Sequence, residues 1–172
     1  MAVELLFPRL VIFGASGPTG RHVVQQALKM GHVVSAVVRS PEKFDIKHEK
    51  LEVIKGDVFN SESLVTIMEG KDAVLSCLGA HGTSVFRHTT LYSESMKAIS
   101  SAMEKNNLNR FVCVTSWGLD NDPAKGDYTV IEGQFVPDAA WYIPRADVGD
   151  FMLASLNTHD WDRKCVAIGR KN

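Results

Sequence analysis

Cysteine is scarce in this chain, and neither sign of charge prevails. The three cysteines among 172 residues, Cys77, Cys113 and Cys165, show no paired spacing. That excludes a disulfide framework and fits a reducing compartment. Cys77 and Cys113 lie inside apolar runs, where a free thiol is expected to behave as a small buried hydrophobe. Lysine and arginine number 19 against 20 acidic residues, a formal net charge of -1, so nothing points to a nucleic acid or an anionic membrane. No apolar run is long enough to span a bilayer, and Met1 to Arg9 is too short and interrupted for a secretory signal. The six histidines are scattered, and His81 and His88 have no cysteine or carboxylate at ligand spacing; no metal site is expected. What remains is an ordinary 45% hydrophobic chain, expected to be a single-domain cytoplasmic monomer.

What the chain does have is glycine at one place. In "VIFGASGPTG" an apolar run ends in Gly14, Gly17 and Gly20. Glycine has no Cβ and tolerates positive φ, so a turn built from it bends sharply and admits a ligand closely. A helix starting there presents free N–H groups and a positive dipole end to an anion. Pro18 suits the first helical turn. The spacing G-x-x-G-x-x-G is a variant of the dinucleotide fingerprint, with a plain strand–helix turn as its structural alternative.

Apolar periodicity predicts strands at Arg9 to Phe13, His32 to Val38, Leu51 to Lys55, Ala73 to Leu78 and Arg110 to Thr115. It predicts helices at Pro18 to Met30, Asn60 or Ser61 to Met68, and Thr89 to Lys105. Gly31 reads as a C-cap. The strands are near-continuous apolar runs, as in a parallel sheet covered on both faces. The fold class is therefore α/β, a doubly wound parallel sheet. Later in the chain, Arg145 should open a helix with Asp147 near its N-terminus and Val148, Phe151, Met152 and Ser155 facing inward. Trp141 and Trp161 read as packing residues. Lys164 to Ile168 reads as a last strand, and Gly169 to Asn172 as a fraying end.

Ligands of such sheets bind beyond the strands' carboxyl ends. After the second strand stand Arg39, Ser40 and, four residues past the arginine, Lys43. An arginine where an NAD site has a carboxylate suits a 2′-phosphate, which favours NADPH. After the third strand, Asp57 could accept from an adenine amine with Val58 against the ring, or could cap the turn. After the fourth, Leu78 and Gly79 would lie along the middle of a dinucleotide. After the fifth come Thr115 and Ser116. The Ser116 hydroxyl would orient an acceptor or stabilise charge during hydride transfer. No Tyr-x-x-x-Lys pair supports it, since Tyr92 is followed four on by Met96, Tyr128 by Glu132 and Tyr142 by Ala146.

These elements in order, with "GDYTVIEG" and "PRADVGDFML" downstream, resemble the flavin reductase (NADPH) and biliverdin reductase B group. That group belongs to the NmrA-like branch of the atypical short-chain dehydrogenases. The resemblance implies a Rossmann-type domain that binds NADPH and passes hydride to a flavin or a biliverdin-like conjugated acceptor. It assigns Gly14, Ser16, Gly17, Pro18, Thr19 and Gly20 to the pyrophosphate, and Arg39 to the 2′-phosphate. Asp57 and Val58 go to the adenine side, Leu78 and Gly79 to the middle, and Ser116 to the nicotinamide.

One departure stands out. The family has a loop, a helix and a sixth strand where this chain has only the nine residues Trp117 to Lys125. A crossover needs about a dozen residues or more. The sheet should lack that interior strand unless Tyr128 to Ile131 docks in its place, and the acceptor side should lose a wall. Dinucleotide binding is expected to survive better than turnover. Two alternatives therefore stand beside the reductase: a non-catalytic NADP(H)-binding sensor or partner-binding protein, and a truncated inactive isoform.

Overall fold

The structure is a computed structural model, and it describes residues 7–80, 89–115 and 119–170. The first strand, β1 (Arg9–Phe13), follows the expectation to the residue, and Leu10 to Phe13 are fully buried. It is the middle of a five-stranded parallel sheet. On one side lie β2 (Val33–Val38) and β3 (Leu51–Lys55); on the other lie β4 (Ala73–Ser76) and β5 (Phe111–Cys113). The order β3-β2-β1-β4-β5 reverses direction at β1, as a doubly wound sheet requires.

Alternate residues of these strands face two separate cores. Leu10, Ile12 and Leu75 meet Val23, Val24 and Ala27 of helix α1 (Pro18–Met30). Val11, Phe13 and Val74 meet Leu64 and Met68 of α2 (Ser61–Met68), and Ile99 and Met103 of α3 (Leu91–Lys105). Gly31 ends α1 at φ +98°, its N–H bonded to the Leu28 carbonyl. Asn60 caps α2 by accepting the Ser63 N–H at 3.1 Å.

Beyond β5 the chain departs from the simple alternation. β6 (Leu119–Asp120) pairs in parallel with β8 (Ile143–Pro144), and β7 (Tyr128–Glu132) pairs antiparallel with β9 (Val166–Arg170) over five residues. Tyr128 to Ile131 thus finds its hydrogen bonds in β9 and does not dock beside β5. β5 is the outer strand of the sheet, and this corrects the reading of Cys113. Cys113 is exposed as a residue, although partial burial still raises its thiol pKa, whereas Cys77, directly after β4, is buried and desolvation pushes its thiol pKa up to about 12.

The last helix, α4 (Arg145–Ala154), packs on α1, with Val148 and Met152 inward as expected. Trp161 does pack, edge-on to Phe151 at 6.3 Å. Trp141 does not: it is 81% exposed, because the turn before β8 carries it away from both cores. The last strand starts two residues later than expected, since Lys164 still donates its N–H to Trp161 in a turn. Gly169 and Arg170 are not frayed. They belong to β9, and the Arg170 Nε bonds Asp127 at 3.1 Å.

Two buried polar groups set conditions on this packing. Asp147 is fully buried at the start of α4, and its Oδ1 accepts the N–H groups of Lys125 and Gly126, each at 2.9 Å. It therefore ties the segment entering β7 to α4. Replacing it, Asp147→Ala, should cost about 2–3 kcal/mol in urea unfolding, with less lost in Asp147→Asn. His32 is also fully buried; its Nδ1–H donates to the Phe7 carbonyl, while Nε2 meets no polar atom among the described residues. Desolvation lowers its pKa. The neutral ring is thus the folded form, and acid favours the unfolded chain, which takes the proton first. Stability should fall as pH drops below the ordinary histidine value, and chemical denaturation of His32→Leu across the same range should show a flatter profile.

Candidate dinucleotide site

The glycine turn is shaped first by the protein's own backbone. Gly14 has φ +69°, and a Cβ placed on it would lie 2.5 Å from the Cys77 carbonyl oxygen at the end of β4. The Gly17 N–H closes the turn on the Gly14 carbonyl at 3.0 Å. A Cβ on Gly20 would fall 2.1 Å from that same Gly14 oxygen. Two of the three glycines are therefore demanded by chain packing alone, whatever binds.

The ligand signal lies in what the turn leaves open. Gly17 is the N-cap of α1, with no side-chain cap and no acidic residue in the first turn. The N–H groups of Thr19 and Gly20 bond no described residue. Ser16 and Pro18 are exposed beside them. A helix start that its own chain leaves uncapped presents donors and a partial positive charge to an anion.

The neighbouring strand ends complete the row. Arg39, directly after β2, is exposed and makes no ion pair or hydrogen bond with a described residue. Ser40 opens a 3₁₀ turn, Pro41–Lys43, and accepts the Lys43 N–H at 3.1 Å. Lys43 is exposed and equally unpaired among the described residues. Arg21, in the first turn of α1, is by contrast engaged. It bonds Asp45 at 2.6 Å and lies 5.8 Å from the Phe44 ring centre, and its hydrogen bond holds the Asp45 carboxyl below the usual range.

After β3, both readings of Asp57 have a place. One oxygen accepts the Phe59 N–H at 3.0 Å, so the residue does cap its turn. The residue itself is exposed, and Val58 packs half-buried on the α2–α3 side. After β4, Cys77 continues the sheet by donating to Phe13, Leu78 packs on the core, and Gly79 is exposed. A Cβ on Gly79 would meet nothing within 4 Å. After β5, Val114 donates to Ser76 and Thr115 is exposed. Ser116, with Trp117 and His81, lies outside the described residues.

The structure therefore brings Gly14 to Gly20, Arg39, Ser40, Lys43, Asp57, Val58, Leu78, Gly79 and Thr115 to one edge of the sheet. Sequence reasoning misses the braces of this edge: Arg21 with Phe44 and Asp45, and Tyr92, whose hydroxyl accepts the Ala80 N–H at 3.2 Å. Arg21 directly follows the third glycine, but nothing in the sequence names its partner. Among the described residues no cluster of histidine, cysteine or carboxylate could hold a metal.

A fold and a strand-end row of this kind define a dinucleotide-binding α/β domain, and comparison with known proteins agrees. Residues 14–136 match the NAD(P)H-binding family model, and the chain belongs to that family. It is 28% identical over 123 residues to an isoflavone reductase homolog of Zea mays, a stretch covering 66% of this chain but only 37% of that protein. The match thus takes in well under half the length of that curated relative. Among solved structures, a putative epimerase of Bacteroides thetaiotaomicron superposes with TM-score 0.82 at 21% identity, covering 96% of this chain and 98% of its own. A short-chain dehydrogenase/reductase of Veillonella parvula in complex with NADP gives 0.76 at 17% identity, covering 96% and 95%. A putative NADH-flavin reductase of Streptococcus pneumoniae gives 0.65 at 21% identity, covering 95% and 99%.

Two glycines separate packing from binding. Gly20→Ala should cost about 3 kcal/mol or more, since its methyl meets backbone. Gly79→Ala should stay within about 0.5 kcal/mol of the parent yet bind NAD(P)H more weakly. Thermal melting of both variants, with an NADPH titration of the second, checks the pair.

Proposed function

We propose that the protein is an NADPH-dependent reductase that acts on a flavin or a biliverdin-like conjugated acceptor. The observation that carries the reading is the uncapped start of α1 beside Arg39 and Lys43, two cations without a partner among the described residues. The pyrophosphate would take the N–H groups of Thr19 and Gly20. The Arg39 guanidinium would take the 2′-phosphate through two parallel charge-assisted bonds, with Lys43 adding charge. Asp57 and Val58 would take the adenine side. Leu78, Gly79 and Thr115 would lie along the rest.

When bound, the coenzyme would supply a hydride for direct transfer to a flat conjugated acceptor. The protein's part is to stack, orient and exclude water. Ser116 is the residue that would position the acceptor or donate to its developing charge. Likeness in fold to an NADP complex supports the coenzyme, and likeness to a putative NADH-flavin reductase supports a flavin as acceptor. On the same reading the protein works as a cytoplasmic monomer on a small-molecule acceptor.

One observation favours a second reading, a binding protein for NADP(H) without turnover. Among the described residues β5 is the outer strand of the sheet, and none of their strands pairs beyond it on the acceptor side. Following NADPH oxidation with FMN or riboflavin separates the two: steady oxidation supports the reductase, and tight NADPH binding with no turnover supports the binding protein. Under either reading, Arg39→Ala should weaken NADPH by roughly 10- to 100-fold and leave NADH nearly unchanged, the worth of a charge-assisted bond. Calorimetry with both coenzymes measures it, and an unchanged preference would sink the assignment of Arg39.

A further inference from the structure

Leu78, Gly79 and Ala80 leave β4 at the middle of the strand-end row, and their course is fixed from both sides. On one side the Cys77 N–H donates to Phe13 at 2.9 Å, and the Cys77 carbonyl fills the space left by the missing Cβ of Gly14. On the other side the Ala80 N–H donates to the Tyr92 hydroxyl at 3.2 Å. Between these anchors Gly79 is exposed, with open space where a side chain would stand.

Tyr92 is well placed to serve as an anchor. It sits in the first turn of α3, whose inner face, Ser95, Ala98, Ile99, Ala102 and Met103, is seated against the sheet. Its own carbonyl accepts the Ser95 hydroxyl at 3.3 Å. The helix is thus fixed by its core contacts, and the phenol reaches from it to the segment after β4. The ring is 43% exposed, so its packing contribution is modest. The hydroxyl is the part with a definite role.

We propose that Tyr92 is a positioning residue for the dinucleotide, setting the backbone at Gly79 and Ala80 against which the middle of the coenzyme lies. The assignment rests on the dinucleotide reading of the site. Its chemistry is simple: an amide that would otherwise turn to water is held by a phenol oxygen, so the backbone is ordered before the ligand arrives. Ordering in advance spares the bound complex that entropy. Ligands that reach Gly79 gain from it, and ligands confined to the Arg39 end do not.

The experiment compares the intact protein with Tyr92→Phe, which keeps the ring and removes only the acceptor. NADPH and 2′,5′-ADP are titrated into each by calorimetry, and the melting temperature is recorded. A neutral hydrogen bond of about 1 kcal/mol predicts roughly a 5-fold loss of NADPH affinity, with 2′,5′-ADP binding and the melting temperature nearly unchanged. Amide hydrogen exchange at Ala80 should quicken in the variant. Equal NADPH affinity in the two proteins overturns the proposal, and so does an equal loss for both ligands, which marks a general structural effect. If the unaltered protein binds neither ligand, the dinucleotide reading fails along with it; binding by the unaltered protein with no effect of Tyr92→Phe removes this inference alone.

Discussion

The Cys77 carbonyl oxygen stands where a side chain on Gly14 would begin, and the Gly14 carbonyl stands where one on Gly20 would begin. These two close approaches let the chain leave β1, turn within four residues and start α1 beside the end of β4. Any Cβ there would push the turn away from β4 and move the first turn of α1 off the strand-end row. The core on the α1 face depends on the same placement, because Val23, Val24 and Ala27 meet Leu10 and Ile12 only from that starting point. The uncapped end of the helix is therefore a by-product of tight packing, which leaves its first donors unbonded among the described residues.

Charge at this edge is divided between bracing and availability. Arg21 is spent on Asp45 and the Phe44 ring, which holds the loop after β2 against the start of α1. Arg39 and Lys43, in the same neighbourhood, have no carboxylate partner among the described residues. Exposed ion pairs contribute little to stability, so the Arg21 pair matters here for where it places the loop. The two unpaired cations matter because a dianionic group nearby would face no competing anion from the chain.

The far side of the sheet follows from the short connection after β5. The connection Trp117 to Lys125 has only nine residues, fewer than a crossover needs, and among the described residues no later strand pairs with β5. Tyr128 to Glu132 takes its hydrogen bonds from β9 instead, and Phe151 lies between Tyr128 and Trp161 to cement that pair of strands to α4. Asp147 secures the approach to β7 from inside. The exposure of Cys113 and the outer position of β5 are two results of one cause.

Local sequence carried the first two-thirds of the molecule. The apolar runs, Gly31, Asn60 and the glycine turn each act over a few neighbouring residues, so the strands β1 to β4, helices α1 and α2 and the row of strand ends were legible from spacing alone. Pairing partners were not, because a strand's alternation says which face is buried but not which strand lies beside it. That is why β7 joining β9, the exposure of Trp141 and Cys113, the Arg21–Asp45 brace and the Tyr92–Ala80 bond belong to the tertiary structure: each joins residues whose proximity is created only when the sheet, α3 and α4 have closed around one another.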